Sequence, residues 1–490
     1  MNYTIMENYA RRYIMSEKQF VKQIADINEN FAQWYTDVVL KTELVDYGPV
    51  KGTMVIRPYG YAIWENIQKD MDRRFSEAGS KNAYFPLLIP MSYFTKEAEH
   101  VEGFAPEVAV VTHAGGAKLE EPLAIRPTSE TVIGTMYAKW IQSYRDLPVI
   151  MNQWCNVMRW EKTTRPFLRT SEFLWQEGHT VHATEEEAME ETMKMLEVYK
   201  DFMEQTLALP VFTGRKTDKE KFAGAVATFG LEAMMLDGKS LQSGTSHYLG
   251  QNFAKAFDIK FLDKDGKEKH GYTTSWGTST RMIGAIIMAH GDQRGLVLPP
   301  KVAPIQVIIV PIATHKGGVI EKATELESAL VKAGVRAEVD TRDMSPGWKF
   351  NEWEMKGVPL RIEIGPRDIE NNQVMVARRD NFEKSAMPMD NLSEEIVKLL
   401  DVVQKDMFIK SKANRDKRVV EADSLEGILA GVENKNFVKA GWCGCRECED
   451  KVKEFASATA RVMCDEEGVP ETCAICGKKA KHKVIFARAY

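Results

Sequence analysis

Six of the seven cysteines fall between Cys443 and Cys476, with only Cys155 outside that stretch. Cys443 and Cys448 form a C-x4-C pair with Cys445 inside it, and Cys473 and Cys476 form a C-x2-C pair followed by Gly477. Two short chelating turns that supply four thiolates suit a tetrahedral structural zinc, which keeps no open position for catalysis. Cys445 is an alternative to Cys443 in that set, Cys464 is left over, and free or oxidised thiols are the competing reading. In a reducing compartment the clustering points to metal before disulfides.

Four other groupings offer chemistry. Thr128 and Glu130, two apart in RPTSE, can face the same way from an extended segment and receive a substrate ammonium, although a helix cap followed by Glu explains them equally. Between Asn156 and Ala183, Arg159, Arg165 and Arg169 flank an expected turn between two strands. Guanidinium forks of that density suit a polyphosphate, with a solvated hairpin of ion pairs as the alternative. The following FLWQEGH places Glu177 and His179 on one face beside Trp175, which the hairpin alone leaves unexplained. Gln242, Thr245 and His247 surround a Gly-containing turn. Arg281 stands near the start of an apolar helix, where the helix dipole disfavours a cation unless an anion lies nearby. Neither a P-loop nor a Rossmann glycine pattern offers another nucleotide site.

The elements that must hold these residues read as follows. Apolar positions Ile63, Ile67, Met71 and Phe75 are each four apart, which predicts a helix over Gly60–Ala78. Thr184 to Glu187 predicts a capping box opening a helix to Ala208, with Met189, Met193, Leu196 and Met203 in the core. The strand-like runs from about residue 20 to 300 alternate too irregularly for a parallel repeat, so the sheet is expected to be mixed or antiparallel. From Val302 a second, α/β unit of about a hundred residues is expected. It comprises a buried strand, a helix over Val319–Ala333, strands at Val335–Val339, Leu360–Ile364 and Val374–Ala377, and a closing helix over Ser393–Phe408. The basic run Lys410–Arg418 then reads as a solvated helix face.

The chain of 490 residues has 65 Lys plus Arg against 70 Asp plus Glu, a net charge of −5. That balance excludes binding to nucleic acid by bulk positive charge, so any RNA contact is local. No apolar run reaches the ~18 residues of a membrane span, and the start lacks the apolar core of a signal peptide, so a cytoplasmic protein is expected. Met6 and Met15 are alternative starts.

Taken in order, these segments resemble the three signature motifs of class II aminoacyl-tRNA synthetases and, within them, the prolyl-tRNA synthetase family. Motif one is similar to Met54–Pro90, motif two to NVMRWEKTTRPFLRTSEFLWQEGH and motif three to SWGTSTRMIGAIIMAHGDQRGLVLPP. RPTSE, FLWQEGH, GTSH and GWKFNEWEMKGVPLRIEIGPRD carry the likeness to the prolyl enzymes, which runs from about Asn30 to Tyr490. The resemblance implies an α+β catalytic domain, an antiparallel sheet flanked by helices, over residues 21–300. It further implies an α/β anticodon-binding domain over 301–408 and a small α+β zinc-binding C-terminal domain over 409–490, with residues 1–20 as an N-terminal extension. This is the archaeal and eukaryotic-like type, which Tyr490 also matches because its chain end packs toward the active site. The span from Arg159 to Arg281 is filled by the long helix and the GTSH segment, so no editing domain is expected there. Motif one implies a homodimer.

The implied activity is ATP-dependent activation of L-proline to prolyl-adenylate, then transfer to the 3' end of tRNA(Pro). By the same resemblance, Thr128 and Glu130 bind the proline nitrogen, and Arg159 reaches both carboxylate and phosphate. Trp175, Glu177, His179, His247 and Ser275 line the proline pocket. Glu161, Arg169, Thr170, Gln242, Thr245, Ser279 and Arg281 contact ATP, with Gln242 near Mg²⁺ and with Arg159 and Arg281 as the catalytic pair. In the anticodon domain Arg342, Trp348, Lys349, Trp353 and Arg361 offer stacking surfaces and donors to unpaired bases, although Trp348 and Trp353 are equally explained as core. His182 and His113 belong to no motif and read as structural. A pocket for small, apolar proline rejects alanine or cysteine weakly, so misactivation of both is expected. A catalytically inactive tRNA-binding relative would have lost motif residues, yet Arg159, Glu161, Gln242 and Arg281 are present. Glu130, Trp175 and His179 favour proline over another small amino acid.

Overall fold

The computed structural model describes residues 24–94 and 108–490. The expected N-terminal extension and the alternative starts lie outside the described residues. Two compact units result: one joins the described residues up to Leu44 with His290–Gln404, the other joins Val45–Ala289 with Lys405–Tyr490.

The larger unit is built on a seven-stranded sheet. Its order is Lys81–Asn82, Val149–Met158, Glu172–His182, Tyr272–Ser279, Ser240–Gly250, Ala227–Met234 and Val211–Arg215. Only the first pair is parallel, so the antiparallel expectation holds. The helix Pro58–Glu77 buries Ile63, Ile67, Met71 and Phe75, as the four-residue spacing requires. Of the extended run expected over Tyr84–Pro90, only Leu88–Pro90 forms a strand.

The helix Glu185–Gln205 lies against the same sheet. Of the expected core positions Leu196 and Met203 are buried, together with Thr192, Met195, Tyr199 and Phe202, and Met189 is half-buried, whereas Met193 is exposed. Its start is capped by Thr184, which accepts from the Glu187 amide, but Glu187 returns its carboxylate to the Ala183 amide rather than to Thr184. The Trp276 ring packs on Phe75 at 5.0 Å and on Tyr199 at 6.4 Å. Gly178 sits opposite Trp276, where an added Cβ would lie 2.2 Å from the indole, so the close approach itself requires glycine.

The C-terminal part of this unit has its own sheet, in the order Val419–Ala422, Phe437–Trp442, His482–Ala487 and Thr459–Met463, with the helices Leu425–Glu433 and Arg446–Ala456. The helix expected to end at Phe408 runs from Leu392 to Asp416, so most of the basic run is helical. That run is no purely solvated face. Arg415 lies over the Phe212 ring at 4.6 Å and donates to the Val211 carbonyl, and Arg418 donates to the carbonyls of Leu236 and Met235.

The smaller unit carries a five-stranded sheet in the order Ala337–Val339, Val307–Pro311, Leu360–Ile364, Gln373–Arg378 and Lys384–Pro388. The first three strands are parallel and the last two antiparallel, the final one being a strand the apolar pattern does not reveal. Among the described residues no helix is long and apolar enough to cross a membrane.

Candidate active site

The motif residues meet because sheet register aligns them. Strand period two puts Trp175, Glu177 and His179 on one face of Glu172–His182. Pairing then lays His179 beside Ser275 and Ser275 beside His247, giving one row across three strands. The next row reads Glu177, Gly277, Thr245, and Trp175 pairs with Ser279 in the third. These residues line a cleft of about 280 Å³, closed at its sides by Thr128, Glu130, Arg159, Gln242 and Arg281. Gly277 leaves the centre of its floor open.

One end of the cleft is a buried acid–imidazole cluster. Thr128 donates to the Glu130 carboxylate, and Ser129 to that of Glu177. Glu177 also accepts from Gln153 Nε2 at 2.6 Å and lies 3.0 Å from His179 Nε2. Burial alone would depress His179, but the hydrogen bond and charge of Glu177, joined by the charge of Glu130, hold it above the ordinary imidazole range. Burial would raise Glu177, yet His179, Ser129 and Gln153 outweigh it and hold that carboxyl low. Glu130 has no such set of donors, so burial and the Glu177 charge push it up. The cluster thus keeps one carboxyl poised to ionise when a cation arrives. His247 is pushed down to about 3 by burial and by His179, so it is neutral at physiological pH. Thr228 Oγ1 accepts from the Phe222 amide at 3.0 Å and lies 2.9 Å from His247 Nδ1.

The other end gathers guanidinium groups. Arg159 donates from Nε to the Pro127 carbonyl at 3.1 Å, and its guanidinium lies over Phe173 and Trp175. Arg281, the first residue of its helix, donates to the carbonyls of Leu168 and Gln242. After burial, the charges of Arg169 and Arg159 are what lower Arg281 most. A helix start flanked by like charges has vacant affinity for an anion.

Three residues assigned to ATP do not line the cleft. Arg169 and Glu161 lie 3.9 Å apart on the turn between the two motif-two strands, and the buried Thr170 hydroxyl donates to the Glu172 carbonyl at 2.7 Å. Conversely, Glu220, Lys221, Phe222 and Thr228 line it without belonging to any motif, and so does Phe173, which opens FLWQEGH but carries no expected role. Phe222 stands 4.8 Å from the His247 ring. An aromatic amid the charges of DKEKFAGA is the one signal that could have drawn attention to that loop.

The thiols of Cys443, Cys448, Cys473 and Cys476 all lie within 4.8 Å of one another and can hold a metal ion. Their nearer separations, 3.7 Å for Cys443–Cys448, 4.0 Å for Cys448–Cys473 and 3.7 Å for Cys443–Cys476, match the ~3.8 Å edge of a tetrahedron with ~2.3 Å metal–sulfur bonds. Cys445 is closer than such an edge, 3.2 Å from both Cys443 and Cys448, and stands outside the set. Cys464 is buried elsewhere, with its thiol on the Lys483 carbonyl.

In the smaller unit, Arg342 lies over both Trp348 and Trp353, and Asp340 binds Arg342 and the Trp353 indole. Lys349 corrects its assignment as a surface donor: it is buried, and its ammonium donates to the Asp340 carbonyl at 2.8 Å. Arg361 lies over the Phe350 ring and pairs with Glu363. His182 is buried against Thr180, and His113 is exposed.

Comparison with known proteins agrees with this architecture. The family models described as "tRNA synthetase class II core domain (G, H, P, S and T)", "Anticodon binding domain" and "Prolyl-tRNA synthetase, C-terminal" match residues 113–290, 306–399 and 425–490. A proline–tRNA ligase of Alkaliphilus oremlandii is 61% identical over 477 residues, covering 97% of this chain and 99% of that protein. Proline–tRNA ligase 2 of Clostridioides difficile is 59% identical over 478 residues, with the same coverage. The crystal structure of prolyl-tRNA synthetase from Cryptosporidium parvum, complexed with halofuginone and AMPPNP, superposes with a TM-score of 0.91 at 42% identity, covering 95% of this chain and 99% of that one. The chain belongs to the prolyl-tRNA synthetase family, the class II enzymes that ligate proline to tRNA.

Proposed function

We propose that the sheet-floored cleft activates L-proline with ATP, and that the acid–imidazole end holds proline while the arginine end holds the triphosphate. The observation that carries this division is the pairing, in one cleft, of buried Glu130, Glu177 and His179 with the guanidiniums of Arg159 and Arg281. The positively charged proline nitrogen is received by Thr128 and Glu130, whose carboxyl ionises against it. Trp175, His247 and Ser275 enclose the ring; Ser275 brings a buried hydroxyl with no hydrogen-bond partner among the described residues. Arg159, at the junction of the two ends, binds the substrate carboxylate as it attacks the α-phosphorus. The carboxylate oxygen forms the new P–O bond, pyrophosphate leaves, and Arg159 with Arg281 neutralises the oxygens of the five-coordinate phosphorus. No protein nucleophile takes part.

Gln242, Thr245 and Ser279 complete the nucleotide end, and Gln242 would hold Mg²⁺, which supplies further charge neutralisation there. Glu161, Arg169 and Thr170 serve ATP from the adjoining turn. The ion suited to the four cysteines is zinc, since four thiolates at tetrahedral spacing leave no site for chemistry. Residues 21–300 are read as the catalytic domain, 301–408 as the anticodon-binding domain and 409–490 as the C-terminal domain, with the tRNA anticodon meeting Arg342, Trp348, Trp353 and Arg361. A homodimer through motif one is supported by the exposed apolar side chains of Val55, Tyr61, Tyr84 and Leu88 on and around it. The cytoplasm is the compartment read for this activity, and the unpaired thiols fit its reducing conditions.

Amino-acid-dependent ATP–pyrophosphate exchange, run with each of the twenty amino acids separately and without tRNA, tests the reading. Exchange with proline, and weaker exchange with alanine or cysteine, is expected. Exchange with none, or strong exchange with another amino acid alone, refutes the division of the cleft.

A further inference from the structure

The loop that carries Phe222 is not held by the catalytic sheet alone. Residues 217–222 follow the strand Val211–Arg215, and the side chains of Thr217, Lys219 and Glu220 meet the C-terminal part of the chain. Thr217 Oγ1 donates to Glu449 Oε1 at 2.7 Å, and both residues are buried. Lys219 Nζ pairs with Asp450 Oδ1 at 2.5 Å. Arg461 Nη1 lies 4.0 Å from Glu220 Oε2, and the same guanidinium is fixed by two bonds to buried Glu232. Glu449 and Asp450 directly follow Cys448 on the helix Arg446–Ala456, so the four-cysteine group sets the position of their backbone. Beyond these three anchors the loop presents Glu220, Lys221 and Phe222 to the cleft, with Phe222 on His247 and its amide on Thr228.

We propose that Glu449, Asp450 and Arg461 are positioning residues for the amino-acid end of the cleft: they fix residues 217–222 so that Phe222 stays packed on His247 and closes the proline pocket. The inference rests on the reading of that end as the proline site. The physical argument is one of order. The loop has no helix or strand of its own over residues 216–226. Without the anchors it must lose its own backbone entropy each time substrate binds, and that loss appears as weaker proline binding rather than slower chemistry.

Pyrophosphate exchange with the full-length protein, varying proline and ATP independently, tests this. Glu449→Ala and Asp450→Ala are each expected to raise the KM for proline about tenfold, with kcat and the KM for ATP within about twofold of the parent. Glu449→Gln, which keeps an acceptor for Thr217, is expected to restore the parent value. In a Phe222→Ala background, Glu449→Ala adds no further rise. The amides of residues 217–224 exchange hydrogen faster in Glu449→Ala than in the parent. Asp450 is 46% exposed, so its truncation leaves the fold intact even where that of buried Glu449 does not. A proline KM unchanged in both variants while Phe222→Ala raises it overturns the proposal, as does a fall in kcat at constant KM. If Phe222→Ala and His247→Ala also leave the proline KM unchanged, the proline reading itself falls, and this proposal with it.

Discussion

The Arg159 guanidinium stacks 5.4 Å from the centre of the Trp175 ring while its Nε is tied to the Pro127 carbonyl. The indole and the carbonyl therefore fix the plane of the fork before any substrate arrives. Lysine at this position keeps a charge but has neither a plane to stack nor a fork to bridge two oxygens. Arg159→Lys is expected to slow adenylate formation about 10²- to 10³-fold, a barrier increase of roughly 3 to 4 kcal/mol. Rapid quench at saturating proline and ATP measures it; a rate within a fewfold of the parent would remove Arg159 from the reacting atoms.

Glu232 joins the catalytic sheet to the C-terminal sheet through Lys216 and Arg461, all three being buried. Burial by itself would raise the Glu232 carboxyl, but the two cations pull it down to about 2. Because the folded value lies below the ordinary 4.5, the stabilisation is complete above that pH and is lost as pH falls from 4.5 toward 2. Urea unfolding across that interval is expected to show a contribution of up to ~1.4 kcal/mol per pH unit that Glu232→Gln abolishes. At neutral pH the same variant leaves two buried cations without their anion and is expected to be destabilised by about 3 to 5 kcal/mol.

The sulfur spacings separate the ligands from their neighbour. Purified protein is expected to carry one equivalent of zinc by mass spectrometry. Cys445→Ser keeps that equivalent, whereas Cys448→Ser loses it and lowers the melting temperature, because metal affinity is folding energy in such a site. Loss of metal on serine substitution at Cys445 would place that thiol among the ligands instead.

The cleft continues from motif two to motif three with no inserted domain, since every residue between Arg159 and Arg281 is described and belongs to the sheet, its helices, the hairpin Lys260–His270 or connecting loops. Each missing methylene costs only ~1 to 3 kcal/mol of discrimination. Steady AMP production from ATP in the presence of alanine or cysteine is therefore expected, at a lower rate than with proline. Its absence would mean that the pocket excludes the smaller side chains by means other than fit.

Sheet residues were the most legible part of the site, because an alternating run such as FLWQEGH fixes which side chains share a face before the partner strand is known. Register was not legible. Nothing local to Ser275 announces that it stands between His179 and His247. Lys349 looks like a surface cation by type and becomes a buried one only because the Asp340 carbonyl lies within its reach. Met193 belongs with the core methionines by type, whereas the sheet accepts Thr192, Met195, Leu196, Tyr199 and Met203 and leaves Met193 exposed. Phe222 escaped because its importance comes from anchors more than two hundred positions away, at Glu449 and Asp450.

Ser240, at the start of the strand that carries Gln242 and His247, gives its amide to the Arg488 carbonyl and accepts from the Tyr490 amide. In kinetic terms, the strand that carries Gln242 acquires these two backbone bonds only by closing a loop across half the sequence. A chain emerging from the ribosome can assemble most of its sheet early, yet the Ser240 end of this strand lacks both bonds until residues 488 to 490 have been made. Loop closure of that length costs little more free energy than a loop of half the size, but contacts of such separation form late and slowly. A nascent chain halted before Arg488 therefore lacks both backbone bonds at the start of the strand that carries Gln242 and His247.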